Sequence, residues 1–192
     1  MNFLQRGAVV GKKFRKKRPF IYTVSFYFLI SFCIVPVFLL NAASSMEQKK
    51  IFRQSIPSIA KQFIGIPYKL GGDPRKFGTS DNSYLFFSIY DMAAQKAGLF
   101  YEGYLPMAHL LRNTIEITRN DLQNGDFIVL NNDHAAMIYQ IENSGKMHFI
   151  YASQKRQQIF SFSSDNLVFQ IYWLENFKGF YRLSDTMLES VY

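Results

Sequence analysis

From Ser55 to Gly98 the apolar positions recur every three or four residues; from Asp126 onward they fall into short, alternating or continuous blocks. The first pattern predicts helices and the second predicts strands. "SIPSIAKQFIG" predicts a short helix with Pro57 near its start and Gly65 after it. "IPYKLGGDPRKFG", residues 66–78, is too rich in Pro and Gly for either element and is expected to be loop. A longer helix opens at "SDNS", where Ser80 or Asp81 caps the free backbone N–H groups. Leu85, Phe86, Ile89, Tyr90, Met92 and Ala93 form its apolar face, and it runs to about Lys96, ending at Gly98. "PMAHLLRN" predicts a further short helix. Strands are expected at 126–130, 134–141, 146–153, 158–163, 168–174 and 179–184, separated by turns such as "NND", "ENSGK" and "SSDN". Helices followed by an antiparallel series define an α+β domain, with N-terminal helices packed on a sheet of about five or six strands.

The region before this pattern has a different character. Arg6, Lys12, Lys13, Arg15, Lys16, Lys17 and Arg18 are unaccompanied by any acid, and "IYTVSFYFLISFCIVPVFLL", Ile21 to Leu40, carries no charge. Twenty such residues span a hydrocarbon core as a helix, with Pro36 kinking it, and the basic block keeps the N-terminus cytoplasmic. The small residues of "NAASS" offer a signal-peptidase site instead, although both segments are longer than a cleaved signal usually has. The expected organisation is a basic cytoplasmic region (1–20), a transmembrane signal-anchor or signal peptide (21–43), and a charged linker or early helix (44–54). The domain proper (55–184) and a tail (185–192) follow. The domain is then placed in the cell envelope, outside the cytoplasmic membrane and held to it by one helix.

That division settles what the net charge of +8 means. Seven of the positive charges lie before residue 20, so only +1 remains for the rest, which argues against nucleic acid as a partner. Cys33 is the only cysteine and lies in the apolar run behind Phe32, where a lipid-attachment signal needs a small residue. The exported part therefore has no disulfide, cysteine–zinc site or cysteine nucleophile. No metal or other cofactor is expected: His109, His134 and His148 lack ligand spacing, and "GGDPRKFG" lacks the ending of a phosphate loop. His134, at the mouth of a strand beside a helix start, has the place of a general base, although a lone histidine there is ordinarily a polar residue ending a turn. His109 has no partner motif, and His148, three places from Tyr151, faces the other side of its strand. Asp73, Asp81 and Asp126 sit at a loop, a cap and a turn, where structural roles are expected.

Taken in order, "IGIPYKLGGDPRKFGTSDNS", "LQNGDFIVL", "HAAMIYQI" and "FIYAS" resemble the papain-like NlpC-type peptidases, which cut the peptide stems of peptidoglycan. In that family a Pro-Tyr-x-x-Gly-Gly loop precedes an Asp-Cys-Ser-Gly helix start, and a His-led strand supplies the base. The resemblance covers roughly residues 55–153. It implies that His134 stands at the base position, Tyr68 at the loop tyrosine of the oxyanion site, and Tyr151 where an orienting His is found. Asn82 stands where the nucleophilic cysteine belongs, Ser83 follows it, and Tyr84 replaces a glycine, adding bulk expected to crowd or cover the groove.

A carboxamide carries no titratable nucleophile. The resemblance, with Asn82 in that position, implies a pseudoenzyme that binds a peptidoglycan stem peptide or an envelope protein, such as an active hydrolase it regulates. Two alternatives remain from the sequence: a hydrolase using Ser80 or Ser83 with His134, and a structural envelope protein whose cleft is closed. One position along a helix turns a side chain by ~100°, so Ser83 is expected to point away from His134.

Overall fold

The computed structural model describes residues 45–190; the basic block and the apolar run at 21–40 lie outside them. Among the described residues no helix is long and apolar enough to cross a membrane.

The described residues begin as helix α1 (residues 45–60), so most of the span expected as a linker or early helix is helical. Phe52 and Ile56 are fully buried, which ties this helix to the core. Pro57 lies well inside α1 rather than at its start. It has no N–H to give the carbonyl of Arg53 four residues back, and that oxygen accepts instead from Asn124 Nδ2 at 3.4 Å. A short helix, α2 (Pro74–Phe77), is set into the Gly-rich loop, capped by the Asp73 carboxylate.

Helix α3 (Asn82–Ala97) follows, with Asp81 as its N-cap and Gly98 in the left-handed region as its C-cap. Asp81 Oδ1 accepts the Tyr84 N–H at 2.9 Å. Leu85, Phe86, Ile89 and Tyr90 are wholly buried, each stabilising the fold by roughly 1.5–3 kcal/mol relative to an exposed side chain. Then come β1 (Leu99–Tyr101), α4 (Met107–Arg112), β2 (Thr114–Ile117), β3 (Asp126–Leu130), β4 (Ala135–Ile141), β5 (Met147–Ser153) and β6 (Gln158–Ser163). The described residues close with α5 (Phe169–Trp173), β7 (Phe177–Leu183) and β8 (Leu188–Ser190).

Six strands form one antiparallel sheet in the order β2-β7-β3-β4-β5-β6, and β1 pairs with β8 separately. The architecture is α+β, as the pattern predicts. Alternation along the strands gives the sheet two apolar faces. Phe127, Val129, Met137, Ile150 and Ala152 pack with α1 and α3, whereas Ile128, Leu130, Ile138, Phe149 and Phe162 pack with Phe169 and Trp173 of α5.

The α5 segment corrects the strand expected at 168–174. Its aromatic and β-branched residues read as a strand, but only Phe169 and Trp173, four apart, are buried, while Val168, Ile171 and Tyr172 are exposed. That is helical burial, here wound as a π-helix. The expected tail likewise contains structure, since β8 closes the two-stranded sheet.

Beneath the sheet's α1 face lies a polar keystone that the sequence pattern does not announce. The fully buried Asp126 carboxylate is held by Arg182 Nε (3.0 Å) and a second Arg182 nitrogen (2.8 Å), by Arg53 (3.1 Å), and by the Gln123 N–H (2.7 Å). Gly125 beside it has φ +91°, and a Cβ there would collide with Ile56. Tyr90 Oη donates to the Gly125 carbonyl at 2.5 Å, and burial raises the pKa of this phenol well above its ordinary value. "LQNGDFIVL" is thus explained by packing.

Candidate functional site

The loop "PYKLGG" is fixed from both sides. Pro67 bridges to Gln158 and Tyr68 to Ser80. The Tyr68 N–H donates to the Gln157 carbonyl (2.9 Å), the Ser80 N–H to Pro67 (3.0 Å), and the Gly71 N–H to Asp81 Oδ2 (2.8 Å). Gly72 passes so close to the next turn that a Cβ would sit 2.8 Å from the Thr79 carbonyl oxygen. This clamp sets Tyr68 at the rim of a cleft of about 250 Å³ that also takes in Asn82, Ser83, Met107, His134 and Ala152. The helix start and the strand mouth, separate in sequence, therefore meet.

Asn82 occupies the first position of α3, half-buried, and its carboxamide is engaged at both ends. Oδ1 accepts the Ala152 N–H at 2.6 Å, and Nδ2 donates to the Ala135 carbonyl at 3.4 Å. The last ladder pair at this end of β4 and β5 is Met137↔Ile150, and Ala135 and Ala152 continue that register two residues further on. The side chain thus stands between two strands in place of a direct peptide contact: an amide splint across the open end of the ladder. It also reaches the residue adjoining His134.

His134 immediately precedes β4; Asn132 Oδ1 accepts its N–H at 3.1 Å and its carbonyl accepts from the Leu130 N–H at 2.8 Å. The residue is exposed, but its ring leans on Tyr151 (centroids 5.9 Å apart, edge to face) and Trp173 (6.3 Å). Loss of water on that side lowers its pKa below the ordinary 6.5, favouring neutral imidazole. The contact with Tyr151 is ring to ring, and Tyr151 and Trp173 pack on the α5 face of the sheet, whereas α3 lies on the other. The imidazole has no side-chain hydrogen-bond partner among the described residues. His148 faces the other side of the strand, as expected, where Nε2 meets Glu142 at 2.6 Å.

The neighbouring hydroxyls have other partners. Ser80 is wholly buried and donates to the Asp81 carbonyl at 2.9 Å. Ser83 Oγ accepts the Met107 N–H at 3.1 Å, anchoring the start of α4. Tyr84, expected to crowd the groove, does not line it; its ring stacks on Tyr104 at 4.1 Å, turned away because α4's approach provides an aromatic partner there. His109 is exposed on α4. Among the described residues no group of three or more His, Cys, Asp or Glu side chains is arranged to hold a metal ion.

Fold and site together define an α+β domain whose cleft joins a capped helix start to the mouth of an antiparallel sheet. No family model matches the chain, and no curated protein matches it. Among solved structures it is similar to the peptidoglycan hydrolase RipB from Mycobacterium tuberculosis, at 14% identity and a TM-score of 0.48, over 72% of this chain and 67% of that one. At that distance the likeness assigns no residue a role.

Proposed function

We propose that this chain is an exported, membrane-tethered protein of the NlpC peptidase type that has lost catalysis and binds a peptidoglycan stem peptide in its cleft. The observation that carries this reading is the Asn82 carboxamide, bonded at both ends to strand backbone at the position where the resemblance puts a sulfur nucleophile. Its nitrogen lone pair is delocalised into the carbonyl, and no ordinary shift in environment turns it into a thiolate equivalent. The neighbouring His134 has neither a hydroxyl to activate nor a carboxylate to orient it among its contacts. Ser80 is buried and donates to the Asp81 carbonyl, and Ser83 Oγ accepts the Met107 N–H; neither hydroxyl is bonded to His134, which favours the binding reading over a serine hydrolase. The open cleft, with Tyr84 outside it, favours binding over a closed structural domain. The basic block and charge-free run before residue 41 support export and tethering.

The test uses the full chain in detergent micelles with purified cell-wall fragments. No soluble peptide should be released, while a stem peptide should bind saturably and lose affinity in Tyr68→Ala. Peptide release that disappears in His134→Ala would overturn the proposal.

A further inference from the structure

A second cavity, also of about 250 Å³, adjoins the cleft, with Asp133 lining both. The two open on either side of the start of α4: Met107 faces the cleft, and Ala108 and Leu111 face the second cavity. Its remaining lining is mixed in a telling way. Val129 and Tyr181 continue the apolar wall, and Arg112 and Lys178 bring two cations against the single acid Asp133.

The cations differ in availability. Lys178 Nζ is paired with Asp133 Oδ1 at 2.6 Å. Arg112, the last residue of α4, is exposed and makes no side-chain hydrogen bond or ion pair among the described residues. A free guanidinium over an apolar wall, next to a lysine already held by one carboxylate, is a receptor for a second carboxylate. Its planar fork matches the two oxygens, and the apolar wall suits a short aliphatic stem.

We propose that this second pocket receives a free carboxylate of the peptide held in the cleft, gripped by Arg112 and assisted by Lys178, with Asp133 setting the competition between ligand and protein. This rests on the reading of the cleft as a peptide site. Adjacent residues of α4 line the two cavities, so the carboxylate belongs within one or two residues of the segment lying over Asn82, given ~3.3–3.6 Å per extended residue. The left-handed backbone at Asp133 (φ 59°) puts an acid at the boundary in a conformation that asparagine also tolerates.

The experiment titrates the full chain in detergent with the tripeptide L-Ala-γ-D-Glu-L-Lys and with the same peptide bearing amides in place of its free carboxylates. The free acid should bind roughly tenfold more tightly than the amide, a preference that shrinks as salt is added. Arg112→Gln should remove most of the preference by weakening the free acid far more than the amide, and Asp133→Asn should enlarge it by freeing Lys178. Thermal melts of both variants should match the parent, since Arg112 is exposed and Asp133→Asn keeps the turn. If both peptides bind equally and His134→Ala weakens both, the pocket assignment fails while the cleft stands. If Arg112→Gln lowers both affinities alike, or inorganic phosphate displaces the amide as readily as the acid, the assignment also fails. If neither peptide binds the parent chain, both readings fall together.

Discussion

Replacing Asn82 by alanine removes a side chain that links the open ends of two strands, so its effect is expected on stability as well as on binding. The Ala152 N–H and the Ala135 carbonyl both belong to buried residues and both lose their partner. A hydrogen bond is worth about 1 kcal/mol net, and a buried group left unpaired costs about 1–3 kcal/mol. The bond at 3.4 Å is weak, and the cleft admits water to both groups, which holds the total near the lower end, at about 2 kcal/mol. For a domain of this size that lowers the melting temperature by ~4–8 °C. Trp173, the only tryptophan in the chain, is buried beside His134 and Tyr151 and reports the melt directly. Asn82→Gln serves as the control: it keeps the amide but lengthens the reach by one methylene, and it should lose nearly as much. Asn82→Cys, which introduces a sulfur, should also be destabilised, because a thiol does not span the two strands. An Asn82→Ala protein melting within ~1 °C of the parent would refute the splint.

Three further outcomes follow from other parts of the structure. The His134 imidazole should titrate below 6.5 by NMR, with Trp173→Ala moving its midpoint back toward that value. Because the folded state binds this proton less readily than the unfolded chain does, the contribution is fully present above about pH 6.5. It is lost as pH falls from there through the folded pKa, so the stability difference between the parent and His134→Gln should be constant above about pH 6.5 and change below it. Asp126→Asn leaves Arg53 and Arg182 without their buried counter-charge and should cost about 3–5 kcal/mol by urea denaturation, with the same loss at low and high salt. Gly125→Ala should cost about 1–3 kcal/mol by the same measurement, since it both collides with Ile56 and strains a left-handed backbone; Ile56→Val should recover part of that loss.

Local signals were readable where one element states its own ends. Asp81 and Gly98 bracket α3, and β6 lies where its alternation places it, because capping and side-chain period are properties of adjacent residues. Elements decided by distant partners were not readable. α5 carries strand-forming residues, yet Phe169 and Trp173 find their pocket only beside Phe149 and Phe162, about twenty and ten residues away. β1 and β8 are three residues each and exist through pairing across nearly ninety positions. α1 hides its buried face among charged residues, and the signal that could have exposed it was Phe52 and Ile56, four apart, in step with Ile59 and Phe63.

The site itself was legible in its parts but misleading in its sense. Sequence reasoning treats Asn82 as a subtraction, a position stripped of its reactive atom. In the fold the same side chain adds something: two hydrogen bonds to backbone groups that would otherwise face each other across a gap. These two roles exclude one another physically. A nucleophile must keep its reacting atom uncommitted and able to move toward a carbonyl, whereas a splint works by having its polar atoms held. With both polar atoms of Asn82 held between β4 and β5, neither is free to move toward a group in the cleft.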